Sequence, residues 1–463
     1  MTGRNVGPDR PNLLIIHTDQ QSDWTLGCYG GTVVETPNID RLATDGARFS
    51  NFFTNSAVCT PSRGCFVTGR YPESHGAWTN NIPLNRDEIT FAEVLRRAGY
   101  RTGYVGKWHL DGNPRPGWVH PERSMGFEDA RYMFNRGHWK KIEDFPMNQK
   151  DQPVVHPYSV MGDADTYATD WLTNKTLAFL DVDDERPFCH MLSLPDPHGP
   201  VQVRAPYDTL FAPADMPLPR TFHPEDLPDW AQALQEQSPW GLGKPDREAK
   251  LRKFLALYFG EIKLIDDSVG RIIAFLEAKE MLENTLVVFT TDHGEYAGEH
   301  GIHAKNQLYE TAYRIPMIVH WPRGVQPGTR VDNVMSTVDF QPTVLGLMGV
   351  DACGREQGRD GGALLRGREP AWDDCAYLHH SSHTRAGVFT RRHELALVAD
   401  GESVLFDRIN DRDQVNNLFR EPEQADVVAT LRKKVVEHHS ALGTPAAAWL
   451  GGAQEFSQNR DEA

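Results

Sequence analysis

The strongest constraint on the fold is a recurring pattern, a short and almost wholly apolar run that ends in polar and acidic residues. Residues 11–19 read Pro-Asn-Leu-Leu-Ile-Ile-His-Thr-Asp, and residues 285–294 read Thr-Leu-Val-Val-Phe-Thr-Thr-Asp-His-Gly. Runs this short, without polar alternation, fit strands buried on both faces, as in parallel sheets covered by helices. Acidic residues at their carboxyl ends stand where open α/β sheets place their ligands. Other segments keep the rhythm. Helices are predicted over 38–46 (Ile39, Leu42 and Ala43 on one face, Gly46 as the stop), 91–98, 167–180 and 262–276, and strands over 101–105, 188–194 and 285–291. The alternation predicts an α/β layered fold around a mainly parallel central sheet.

Two stretches, 111–160 and 199–247, break the rhythm and read as long loops that shape a site or an interface. Gly354, Gly358, Gly361 and Gly362 mark a boundary. After it, short segments at 386–389, 394–398 and 403–407 precede a helix at 426–438, which predicts a small α+β domain. The expected division is a catalytic domain over 1–365 and a C-terminal subdomain, a small antiparallel sheet and helix, over 366–463.

The chain has 463 residues and a net charge of −16, with no Lys/Arg-rich run, which argues against a nucleic-acid partner. No apolar stretch approaches the ~18 residues needed to cross a bilayer, and nothing before the first strand reads as a leader; either a cytoplasmic location without a membrane partner or a leader already removed is expected, the first favoured. The six cysteines form no CxxC pair and no disulfide framework, so reduced thiols are expected. One of them sits in a motif that packing does not explain.

That motif is Cys59-Thr60-Pro61-Ser62-Arg63-Gly64-Cys65, followed by Thr68-Gly69-Arg70. Pro61 suits the first turn of a helix and the Ser or Thr before it a cap, which places Cys59 at a helix N-terminus, where amides favour negative charge. Arg63 lies one turn on and can point to the same side. A single Cys-Pro pair would be no more than a buried cysteine at a helix start. Asp19 and Asp292 end their strands, with Gln20 and His293 beside them, and these mostly oxygen donors suit a hard divalent ion. Taken singly, each Asp could equally cap a loop. Glu299, His300 and His303 lack the spacing of a zinc site and are held to be loop residues.

The string Cys-x-Pro-Ser-Arg with Thr-Gly-Arg resembles the signature of the type I, formylglycine-dependent sulfatases of the alkaline-phosphatase-like superfamily. Thr36-Pro37-Asn38-Ile39-Asp40, Val338-Asp339-Phe340-Gln341-Pro342-Thr343 and Leu405-Phe406-Asp407 extend the likeness over most of the chain. The resemblance implies an alkaline-phosphatase-like α/β sandwich with a small C-terminal sheet domain. It implies oxidation of Cys59 to formylglycine by a formylglycine-generating enzyme. It places one divalent cation, calcium before magnesium or manganese, at Asp19, Gln20, Cys59, Asp292 and His293. Many members carry a second Asp at the position of Gln20 and Asn at that of His293, so the cation's identity is less fixed here. Gly106-Lys107-Trp108-His109 matches the family's lysine for the sulfate and its histidine for the aldehyde. Asp196-Pro197-His198 matches the histidine at the ester oxygen. Lys305 matches the lysine bridging sulfate and leaving group. Asn80 is a candidate sulfate contact, or a turn residue.

The chemistry so implied is hydrolysis of a small sulfate ester. The aldehyde hydrates to a diol whose ionisation the cation and Arg63 favour. One oxygen attacks sulfur while His198 or Lys305 protonates the departing alcohol. His109 then takes a proton from the second hydroxyl, and inorganic sulfate is expelled. The alternative is phosphonate monoester or phosphodiester hydrolysis, which Gln20 favours and the Lys107–His109 pair disfavours. A non-catalytic sulfate binder with unmodified Cys59 is the rival of another class. A homo-oligomer is compatible with the sequence. Trp78, Trp108, Trp118 and Trp139 either line the pocket or pack its loops, and aryl, alkyl, choline and sugar esters all stay open.

Overall fold

Nine strands form the central sheet, and the residues that drive it are those of the apolar runs. In this computed structural model, residues 10–112, 117–144, 153–368 and 370–452 are described. The sheet's strands are β1 (Asn12–Thr18), β2 (Ala47–Phe49), β3 (Arg101–Lys107), β4 (Gly117–Trp118), β5 (Asp129–Arg136), β6 (Phe188–Ser193), β7 (Thr285–Thr291), β8 (Met317–His320) and β9 (Thr329–Val331). Across the sheet the order is β9-β2-β8-β7-β1-β6-β3-β5-β4. The middle four, β7, β1, β6 and β3, run parallel. Their carboxyl ends therefore lie side by side: Thr18 pairs with Thr291, His17 with Ser193, and Gly106 with Ser193.

Alternation along β1 feeds two cores. Leu13 and Ile15 join one apolar cluster, Leu14 and Ile16 the other, and all four are fully buried. Helices cover both faces: α1 (Pro37–Thr44), α2 (Cys59–Thr68), α3 (Pro72–His75), α4 (Phe91–Arg97), α5 (Ala168–Leu180) and α6 (Arg247–Ala278). A second, four-stranded antiparallel sheet follows, made of β10 (Cys375–His379), β11 (Arg385–Thr390), β12 (His393–Val398) and β13 (Val404–Asp407), with α7 (Ala425–Leu442) against it. The mainly parallel central sheet and the smaller antiparallel one are the architecture expected. No helix among the described residues is long and apolar enough to cross a membrane.

Several expectations need correction. The stretch 111–160 is not all loop: β5 occupies Asp129–Arg136, while 113–116 and 145–152 lie outside the described residues. Only Met133, Phe134 and Asn135 of β5 are buried, so its sequence lacks the apolar signal of a central strand. The stretch 199–247 contains a helix at Asp229–Gln237. The helix expected over 262–276 runs from Arg247 to Ala278, and the charged residues of its first turns hide that start in the sequence. All six cysteines are free thiols, four of them buried. Trp108, Trp118 and Trp139 pack inward against Tyr104, Phe134 and Trp171, whereas Trp78 lies against His383.

Candidate active site

The four adjacent strand ends and the N-terminus of α2 meet at one point. Cys59 is the first residue of α2, as its motif predicts, but Val58 is the cap residue and no side chain caps from within. The amide of Thr60 is satisfied instead from a distant loop, donating to Oδ1 of Asn80 at 3.1 Å. Thr60 Oγ1 donates to the carbonyl of His109 at 2.8 Å, which ties the end of β3 to the same helix. His109 has φ 59°, so the chain turns out of extended geometry there, and strand alternation alone does not align its ring with Lys107. Gly106 is a position where only glycine fits: at φ 112°, an added Cβ would stand 1.9 Å from the Ser193 carbonyl oxygen. That close approach sets where β3 delivers Lys107.

One ligand atom each from Asp19, Cys59, Asp292 and His293 lies within 4.8 Å of the others, and all four residues are buried. Cys59 Sγ is 3.1 Å from His293 Nε2 and 3.8 Å from both Asp19 Oδ1 and Lys107 Nζ. Arg63 braces the two carboxylates: Nη2 donates to Asp19 Oδ2 at 2.8 Å and Nε to Asp292 Oδ2 at 3.0 Å. Its Nη1 donates to the Lys107 carbonyl and to Ser193 Oγ, both at 2.8 Å. Lys107 Nζ donates to Asp19 Oδ2 as well. Two carboxylates, an imidazole and the position-59 side chain, all buried and converging, fit a divalent cation. The buried group is consistent with a metal site.

Burial alone would raise the Asp19 carboxyl, yet Lys107, with His198 and Arg63, holds it well below the carboxylate range. Burial and the Asp19 carboxylate push the Cys59 thiol up, but Lys107, Lys305 and His293 outweigh them and lower it from its ordinary value. The site therefore favours an anion at position 59.

On the far wall, Lys305 Nζ donates to His198 Nε2 at 2.8 Å, and His198 Nδ1 faces the Gly199 carbonyl at 2.7 Å. Burial first, then the neighbouring Lys305, pushes His198 well below the usual histidine range, so it is neutral and accepts the lysine's hydrogen bond. Asp196 anchors this wall. Its carboxylate takes Lys140 Nζ, Tyr167 OH and Thr169 Oγ1, each at 2.7 Å, and Lys140 also reaches Glu261 at 2.7 Å. Gln20 lies between Lys305, which donates to its Oε1, and Glu295, which accepts from its Nε2.

Three residues of the site escaped sequence reasoning. His138 is 5% exposed, stacks on His198 with ring centroids 4.1 Å apart, and places Nε2 3.5 Å from Lys107 Nζ. Lys140 and Glu295 are fully buried. His138 and Lys140 sit in the Trp- and His-rich stretch read as loop, and that composition was their one signal. Glu295 follows Asp292-His293-Gly294 directly, and nothing distinguishes it in sequence from a solvated glutamate.

A parallel sheet whose strand ends gather carboxylates, cations and a buried cysteine at a helix N-terminus suits a hydrolase of the alkaline-phosphatase-like superfamily, and the comparisons with known proteins agree. Residues 11–350 match the sulfatase family model, and residues 298–441 match that of the N-sulphoglucosamine sulphohydrolase C-terminal region. The chain belongs to the sulfatase family. An ulvan-active sulfatase from Formosa agariphila is 29% identical, over 93% of this chain and 82% of that one. The crystal structure of yidJ from Bacteroides fragilis superposes with a TM-score of 0.78 at 25% identity, covering 97% of this chain and 99% of the other. A phosphonate monoester hydrolase from Silicibacter pomeroyi superposes with a TM-score of 0.75 at 25% identity, covering 93% and 96%.

Proposed function

We propose that this sulfatase-family hydrolase cleaves sulfate esters with an oxygen nucleophile at position 59, formed when Cys59 is oxidised to formylglycine. The observation that carries the reading is the place of Cys59: at a helix N-terminus, buried, with Asp19, His293 and Lys107 around its sulfur. Asp19, Asp292 and His293, with Gln20 and the position-59 side chain, would hold a divalent cation, which when bound would supply positive charge favouring an ionised oxygen at position 59. Calcium suits the oxygen-rich donors best. Formylglycine supplies a nucleophile that can later release its own sulfate, which a serine could not do as easily.

The chain's own groups do the rest. Arg63 fixes the carboxylates and keeps positive charge behind the nucleophile. Lys107 and Asn80 face the sulfate oxygens. Lys305, hydrogen-bonded to neutral His198, carries the proton for the departing alcohol. His109, held at the helix N-terminus through its carbonyl, takes the proton that frees sulfate. Maturation requires a formylglycine-generating enzyme.

Phosphonate monoester hydrolysis is the second reading, favoured by Gln20 in place of a carboxylate. The Lys107–His109 pair, which resembles the sulfatase Gly-Lys-Trp-His string, favours sulfate instead. The ratio of kcat/KM for an aryl sulfate to that for a phenylphosphonate ester decides between them, and we expect it to exceed one. A ratio below one would reverse the assignment. A panel of aryl, alkyl, choline and sugar sulfates then ranks the leaving groups.

A further inference from the structure

Gln20 sits between two groups that leave its amide a single orientation. Lys305 Nζ, which has only hydrogens to offer, meets Oε1. On the other side Nε2 meets Oε2 of Glu295. The second oxygen of Glu295 receives the backbone N–H of Ala297 at 3.1 Å and of Ala304 at 2.7 Å, with His303 Nδ1 3.3 Å away. A carboxylate held by that many donors is an acceptor. Turning the amide over would set NH2 against ammonium and carbonyl against carboxylate, two repulsive contacts in a buried site. The backbone of Gln20 is clamped as well. It holds φ 61°, its N–H donates to Asp292 Oδ1 at 3.0 Å, and its carbonyl accepts from Tyr258 OH at 2.8 Å.

Arg63, Lys107 and Lys305 bring three cations to the site, and Asp19 and Asp292 bring two carboxylates. Glu295, fully buried behind the amide, brings the third.

We propose that Glu295 is the positioning residue for Gln20, holding the amide with its NH2 inward on the carboxylate and its oxygen on the Lys305 side, available to a cation at Asp19, Cys59, Asp292 and His293, and placing a carboxylate charge directly behind that amide. The proposal rests on reading Asp19, Cys59, Asp292 and His293 as a cation site. Groups behind a ligand that fix its orientation typically change metal affinity by roughly 10- to 100-fold when removed.

The test is calcium binding by calorimetry to chelator-stripped protein, which needs neither turnover nor oxidised Cys59. Glu295→Gln should weaken binding by roughly tenfold or more. Gln20→Asp should weaken it too, although it adds a carboxylate, because that carboxylate would face Glu295 across a buried contact. The exchange variant Gln20→Asp/Glu295→Gln should recover most of the loss, the sign of direct coupling between the two positions. Circular dichroism of each stripped protein checks folding, and if Glu295→Gln does not fold, Gln20→Asp decides alone. Calcium bound more tightly by Gln20→Asp than by wild type would overturn the assignment, as would unchanged affinity in Glu295→Gln. No calcium binding by the wild type would overturn the cation site itself, and this assignment with it.

Discussion

Sγ of Cys59 and Nε2 of His293 stand 3.1 Å apart, where the N-terminus of α2 meets the carboxyl end of β7. The helix end and the strand end are each fixed by contacts that do not involve the thiol: Asn80 and His109 hold Thr60, and Arg63 holds Asp292. Cys59→Ala should therefore abolish sulfate-ester turnover while leaving the circular dichroism spectrum and the thermal midpoint close to wild type. Retained turnover would remove Cys59 from the chemistry.

Prolonged chelation should inactivate the enzyme, and added calcium should restore it. Metal content measured before and after chelation separates a lost ion from one that has not yet dissociated. Full activity in protein shown to be metal-free would contradict the cation site.

Arg63 is 2% exposed and bridges Asp19 and Asp292. Arg63→Ala leaves two buried carboxylates without that partner, a loss of about 3–5 kcal/mol for a broken buried pair. Denaturant unfolding of stripped protein should register a loss of this order, and added calcium should recover part of it by taking over the carboxylates. An Arg63→Ala protein as stable as wild type would contradict the brace.

Helix α3 ties the catalytic core to the second sheet: Glu73 Oε2 lies 2.7 Å from His379 Nδ1 on β10, and Oε1 lies 3.4 Å from His383 Nδ1. Burial would raise this carboxyl, but His379 and His383 hold it well below its ordinary value. The folded state thus binds the proton less tightly than the unfolded state, so the stabilisation is present above about pH 4.5 and is lost as pH falls below it. Glu73→Gln should lower the thermal midpoint at pH 7, and the gap to wild type should narrow below about pH 4.5. A gap independent of pH would contradict the contact between the Glu73 carboxylate and the two histidines.

The sequence revealed this site wherever one residue's chemistry and position coincide. β1 and β7 were legible because runs buried on both faces cannot alternate, and their terminal acids then mark the ligand side. Cys59 and Arg63 were legible from the resemblance of the Cys-x-Pro-Ser-Arg string to the sulfatase signature, with which their spacing along one helix agrees. His138, Lys140 and Glu295 were not, because their roles come from partners distant in sequence: His198 for His138, Asp196 and Glu261 for Lys140, Gln20 for Glu295. β5 and β8 were missed for a related reason. One is buried only in part, the other is four residues long, and both gain their pairing from neighbours rather than from pattern. The left-handed turn at His109 lies in the fold, not in the spacing of the string around it.

The most direct test is the mass of the peptide containing Cys59, taken from catalytically active protein made in a host that has a formylglycine-generating enzyme. An aldehyde in place of the thiol, in a fraction that rises in step with specific activity, is the expected result. Fully active protein whose peptide carries only the free thiol would contradict the proposed nucleophile.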